Sequence, residues 1–240
     1  MEKRAMSKKL LGDVYQVYLD DGHGQSTPGK RTPIMRSGKA KGRAIRENEF
    51  NRAVVQKVKV LAEAEGFEVI EVAQGDEDIA LRERSNLANN HYVRKGLGRD
   101  EAVFVSIHAN AYDGKFATNN GGVETYHFPS SIEGERLARC VHNELIKGTK
   151  QIDRGVKSAN FHVLRETMMP AILVEALFMD VEEEALLMLD ESFQNEVARE
   201  VVSGITNYFH QGTSLQPPTD KGRLIALLEE ALSIVKEAEW

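Results

Sequence analysis

The sequence predicts an α/β fold, a three-layer sandwich with a mostly parallel central sheet flanked by helices. Three observations carry this. Short β-branched or apolar runs alternate with stretches of helical period, the pattern of strands joined by crossover helices. Two of the runs, 102–107 and 171–178, are apolar almost throughout, as strands covered on both faces are. Hydrophobic residues make up 41% of the 240 positions, which is enough for the core of such a sandwich.

Residues 14–19 are β-branched and aromatic and read as the first strand. The strand runs into Asp20-Asp21-Gly22-His23-Gly24, where two glycines around one histidine suggest a tight turn and a close backbone approach. Residues 25–44, rich in Gly, Pro, Lys and Arg, form a long polar loop, and loops of that length in compact domains are often functional. Glu47 opens a helix in which Phe50, Ala53, Val54, Val58, Leu61 and Ala62 keep helical spacing, and Gly66 ends it. Residues 67–72 are the second strand. Asp78 is the expected N-cap of a helix through Ile79, Leu81, Leu87, Ala88 and Val93. The 102–107 strand then delivers His108, Ala109 and Asn110. A loop over 111–121 leads to a strand at 123–128. Ser130 or Ser131 caps a helix with Ile132, Leu137, Ala138, Val141 and Leu145 on one side. Residues 148–157 are expected to be a basic, glycine-containing loop, and 160–164 a short extended piece. Pro170 leads into the 171–178 strand, and helices over 181–189 and 193–209 follow. Ligands of such sheets sit beyond the carboxyl ends of the strands. His23, His108 and Glu175, each following apolar strand residues, are therefore expected to converge at one edge.

The net charge of −6 argues against nucleic acid as the main partner, because phosphate-binding surfaces carry a basic excess. One cysteine, Cys140, excludes an intrachain disulfide. No run approaches the ~18 apolar residues of a membrane-spanning helix. The first residues lack the apolar stretch of a signal peptide, so synthesis in the cytoplasm is expected.

Glu175 is the first candidate for chemistry, since a carboxylate in a buried strand is costly unless it is paired or used. The alternative is a glutamate at a strand exit, facing water. His23, Glu47 and His108 are the groups the rest of the chain brings to it. Two imidazoles and one carboxylate suit zinc, and catalytic zinc keeps a position open for water. His91, His127, His142, His162 and His210 sit in no comparable local frame.

These residues lie in motifs that occur in order along the chain. Asp20 to Gly24 is followed by Glu47-Asn48-Glu49-Phe50-Asn51 and Ser106-Ile107-His108-Ala109-Asn110-Ala111. Arg154-Gly155-Val156-Lys157, with Val163-Leu164-Arg165, precedes Met169-Pro170-Ala171-Ile172-Leu173-Val174-Glu175. Weaker marks are Asp78, Leu81 and Arg84 with Asn89, and Gly122-Val123-Glu124-Thr125-Tyr126. Over about residues 14–210 the set resembles the zinc-dependent N-acetylmuramoyl-L-alanine amidases of the amidase-3 family. Asp21 stands where that family usually has proline. Ala176 and Leu177 replace its small residue and glycine. Neither departure removes a ligand. Glu49 rivals Glu47 as the second ligand, but Glu47 keeps the family spacing to Phe50 and Asn51.

The resemblance implies one zinc per chain, held by His23, Glu47 and His108, with Glu175 as general base and then acid. The bond implied is the amide between the lactyl group of N-acetylmuramic acid and L-alanine of the peptidoglycan stem peptide. Asn110, Arg154 and Lys157 are the substrate contacts it suggests. Basic side chains of the 25–44 and 148–157 loops suit stem-peptide carboxylates, with ordinary solvated charge as the alternative. Two rivals stand beside the amidase: another zinc peptidase on the same type of sheet, and a non-catalytic peptidoglycan-binding protein. Residues 12–212 are the expected catalytic domain and 213–219 a linker. Residues 220–240 are expected to form an amphipathic helix with Leu224, Leu228, Ala231, Leu232 and Val235 on one face. That helix docks on the domain, makes a homodimer or begins a wall-binding module. The setting expected is wall lysis after release, as by a phage endolysin, with a sporulation hydrolase second.

Overall fold

The computed structural model describes residues 14–117 and 121–211. In chain order the elements are β1 (Gln16–Asp20), α1 (Glu47–Ala64), β2 (Glu68–Glu71), α2 (Leu81–Lys95), β3 (Ala102–Asn110) and β4 (Val123–His127). They continue with α3 (Ile132–Gly148), β5 (Asp153–Ser158), α4 (His162–Arg165), β6 (Ala171–Phe178), α5 (Glu182–Leu187) and α6 (Glu191–Gln211). The strands form one sheet in the order β2-β1-β3-β6-β4-β5. Among the described strands the pairs β1–β2, β1–β3, β3–β6 and β4–β5 are parallel and β4–β6 is antiparallel.

Side-chain alternation along the central strands supplies two cores. Val17, Leu19, Val103, Val105, Ile107, Ile172 and Val174 pack with residues of α1, α3 and α6. Tyr18, Phe104 and Leu173 point the other way, against Ala88 and Tyr92 of α2 and Val163 and Leu164 of α4. Both faces are covered, which is why these strands read as continuous apolar runs rather than alternating ones. The helix starts follow local chemistry. The Ser131 hydroxyl accepts from Gly134 N–H at 3.0 Å, so Ser131, not Ser130, caps α3. At α1 the Glu49 carboxylate reaches back to the Arg46 N–H at 3.0 Å.

Three expectations need correction. Asp78 does not cap α2, which starts at Leu81 behind Ala80. Asp78 turns instead to the guanidinium of buried Arg84 (2.8 Å) and the Thr27 hydroxyl (2.7 Å), a stronger demand than a helix end. Residues 153–158 are a strand, not a loop. β5 is the last strand of the sheet, and polar sequence is how such edges avoid further pairing. His162–Arg165 form a helical turn rather than an extended piece. Glu175 lies inside β6, the strand expected over 171–178, and not at a strand exit. The linker at 213–219 and the helix at 220–240 lie outside the described residues. Among the described residues, no helix is long and apolar enough to cross a membrane.

Candidate active site

The turn after β1 places the first histidine. Asp20 Oδ1 accepts from Gly22 N–H at 3.2 Å, and Gly22 takes φ 73°. A Cβ there would stand 2.6 Å from His108 Cε1 and 2.9 Å from Asn51 Nδ2. Position 22 therefore needs glycine both for its left-handed backbone and for the imidazole packed against it. Gly22→Ala is expected to destabilise the protein by about 1–3 kcal/mol from the backbone alone, read as a lowered Tm. It should also weaken metal binding by displacing His108. Asn48 donates its side-chain amide to the His23 carbonyl, tying the turn to the start of α1.

Glu47 is the first residue of α1, and its side chain is buried. Its Oε1 lies 2.9 Å from His108 Nδ1 and accepts from Ala109 N–H at 3.3 Å and Asn51 Nδ2 at 3.4 Å. Its Oε2 lies 3.6 Å from His23 Nε2 and 3.6 Å from Lys30 Nζ. One ligand atom from each of His23, Glu47 and His108 can be chosen so that all lie within 4.8 Å of one another. Glu49 is turned away, held by Arg43 at 2.9 and 3.0 Å. His23 Nε2 and Glu47 Oε2 are both buried without a hydrogen bond. Buried polar atoms seldom stay unpaired. Two of them facing each other, in a nitrogen-nitrogen-oxygen donor set, fit a zinc-sized cation.

A buried column sets the tautomer of His108. Its Nε2 lies 3.0 Å from Ser106 Oγ, which donates to Asp20 Oδ2 at 2.6 Å, and Asp20 Oδ1 receives Arg84 Nη1 at 3.1 Å. Because the serine gives its proton to Asp20, it accepts from His108 Nε2–H. Nδ1 is thereby left facing the cluster, the usual arrangement behind a metal-binding imidazole.

The charges are tuned to match. Burial, only partly offset by the Glu47 charge, pushes the His23 imidazole down to about 4, so it is neutral at neutral pH. Burial opposes the Glu47 charge, but the His108 hydrogen bond and the nearby cations hold this carboxyl well below its usual range. Burial likewise opposes a charged His108, and the bond to Glu47 outweighs it and raises the imidazole. Glu175 moves the other way. Burial lifts its carboxyl above the ordinary range, with His108 opposing and Glu47 assisting, and its Oε2 has no partner.

His108, Glu175 and Glu124 stand in one row across three neighbouring strands, since His108 is in register with Glu175 and Glu175 with Glu124. Asn110, Arg154 and Lys157 all converge on Glu124. Asn110 Nδ2 donates to its Oε2 at 3.0 Å, while Arg154 Nε and Lys157 Nζ reach its Oε1 at 2.5 and 2.6 Å. Tyr126 adds its hydroxyl to Oε2 at 2.5 Å. Sequence reasoning noted Glu124, Asp20, Ser106 and Arg84 only as motif members and passed over Lys30. The available signal was an acidic residue on the same face of its strand as Tyr126, followed by two basic residues three apart.

Comparison with known proteins agrees with this geometry. Residues 17–207 match the family model described as N-acetylmuramoyl-L-alanine amidase. The chain is 31% identical over 200 residues to the sporulation-specific N-acetylmuramoyl-L-alanine amidase of Bacillus subtilis, covering 82% of this chain and 69% of that protein. It is 33% identical over 198 residues to the endolysin of Bacillus phage SPP1, covering 79% of this chain and 64% of that one. The crystal structure of an N-acetylmuramoyl-L-alanine amidase from Clostridium difficile 630 superposes with a TM-score of 0.67 at 30% identity, over 82% of this chain and 97% of that one. The six-stranded sheet with its flanking helices, the ordered motifs and these matches place the chain in the N-acetylmuramoyl-L-alanine amidase family.

Proposed function

We propose that the chain cleaves the amide between the lactyl group of N-acetylmuramic acid and L-alanine of the stem peptide, with one zinc held by His23, Glu47 and His108. The observation that carries this is the meeting of ligand atoms from His23, Glu47 and His108, with His23 Nε2 and Glu47 Oε2 buried and unpaired, where His108 stands in register with Glu175. Zinc in that position supplies Lewis acidity toward the amide oxygen and makes water a better nucleophile at neutral pH. Glu175 takes the proton of the attacking water and returns it to the departing L-alanine nitrogen, so amide and water become carboxylic acid and amine. A carboxyl lifted toward neutrality by burial suits both transfers. Arg154 and Lys157 bring two positive charges to the single carboxylate of Glu124. The surplus charge supports their assignment, with Asn110, to stem-peptide carboxylates.

We take residues 12–212 as the catalytic domain and wall lysis after release as the setting. The likeness to a phage endolysin supports it, and the sporulation amidase supports the second setting. The test is digestion of purified peptidoglycan with and without a chelator. New L-alanine amino termini without new reducing sugars, lost on chelation and restored by zinc, are expected. New termini elsewhere in the peptide would mean a zinc peptidase, and wall binding without cleavage would mean a binding protein.

A further inference from the structure

We propose that Lys30 is a further catalytic residue, its ammonium donating to the amide oxygen as negative charge develops there. The inference rests on the amidase reading above. Lys30 sits on the long loop after His23, but its backbone is anchored. Glu47 N–H donates to the Lys30 carbonyl at 3.0 Å. Arg31 and Arg46 form an antiparallel bridge. Thr32 N–H reaches the Ile45 carbonyl at 2.8 Å, and Ile45 N–H reaches the Thr32 hydroxyl at 2.9 Å. The loop is folded back on the start of α1, and Lys30 is held beside Glu47.

Its Nζ stands 3.6 Å from Glu47 Oε2, the oxygen that has no hydrogen bond. That separation is too long for a hydrogen bond, so the ammonium is not committed to Glu47. The Lys30 side chain is 41% exposed while that of Glu47 is 1% exposed. The lysine therefore marks the border between the buried cluster and solvent, where a substrate has to arrive. Arg154 and Lys157 each hydrogen-bond Glu124, whereas Lys30 Nζ makes no such bond to Glu47.

Charge makes the same point. Two neutral imidazoles, the carboxylates of Glu47 and Glu175, and a divalent ion sum to zero. In the reaction the water oxygen bonds to the carbonyl carbon, the water proton goes to Glu175, and the C=O π pair moves onto oxygen. That oxygen is the new negative charge. The pair returns as the C–N bond breaks and the proton on Glu175 passes to nitrogen. Lys30 keeps its own protons throughout. It is a donor, carried on an anchored backbone, for the charge that appears and disappears, and a donor placed there lowers the barrier.

The experiment compares zinc-loaded wild type, Lys30→Met and Lys30→Arg on a soluble disaccharide-peptide. Lys30→Met is expected to lower kcat about 100-fold with KM little changed, and Lys30→Arg to recover part of the loss. Affinity for a phosphinate analogue of the scissile amide should fall by the same factor, while zinc per chain stays at the wild-type level. Unchanged kcat in Lys30→Met, or a loss that tracks missing zinc, would overturn the role of Lys30 alone. A wild type that releases no L-alanine termini would overturn the amidase reading and this role together.

Discussion

Glu175→Gln is expected to lower kcat by about 10³-fold while leaving zinc content unchanged. The glutamine keeps the shape of the side chain but accepts no proton. Wild-type activity should fall as pH drops, because the base works only when ionised and burial lifts its carboxyl above the ordinary range. The residual rate of the variant should lack that acid limb, which a pH profile of kcat would show. Stability should hold or rise, since a carboxylate with an unpaired buried oxygen, close to those of Glu47 and Glu124, becomes neutral. A variant that loses its zinc would make Glu175 a ligand rather than a base.

Glu47→Ala is expected to abolish zinc binding and activity together, and to be the more damaging to the fold. The substitution strips His108 Nδ1, Ala109 N–H and Asn51 Nδ2 of a shared acceptor in a buried setting. Breaking a buried charge pair from one side costs about 3–5 kcal/mol. In metal-free protein the deficit should depend on pH. The folded Glu47 carboxyl is depressed, so its contribution is complete above the unfolded glutamate value and fades as pH falls through the folded one. His108 is raised, so its contribution is complete below the unfolded histidine value and fades as pH rises through the folded one. The difference in Tm between wild type and variant should therefore be largest between about pH 4.3 and 6.5. A difference that does not vary with pH would mean the pair is not ionic.

The parts of this molecule that were legible in sequence are those governed by short-range pattern. The apolar runs of β3 and β6 announced strands covered on both faces, and His23, Glu47 and His108 each lie where an element begins or ends, or in the last residues of β3. What stayed hidden depends on partners far away in the chain. β5 reads as a loop because its residues are polar, and only its place beside β4 makes it a strand. Asp78 has the chemistry of a cap, yet Arg84 needs a carboxylate in its buried site and takes it. Arg154 and Lys157 look like free basic residues until Glu124, some 30 positions earlier, is found between them. Lys30 lies in a segment without periodicity, and only its backbone pairing with the residues around Glu47 reveals where it stands.

β6 is the last of the described strands in the sequence but lies in the interior of the sheet, between β3 and β4. Before it is added, β2-β1-β3 and β4-β5 have no strand pairing to join them. A chain still on the ribosome can therefore already contain His23, Glu47 and His108 and yet have neither a continuous sheet nor the carboxyl of Glu175 beside them. Glu175 arrives on the strand that closes the gap. The same insertion brings it next to His108 on one side and Glu124 on the other, so with the role proposed for Glu175 an unfinished polypeptide is expected to be inert toward its substrate until the two halves become one.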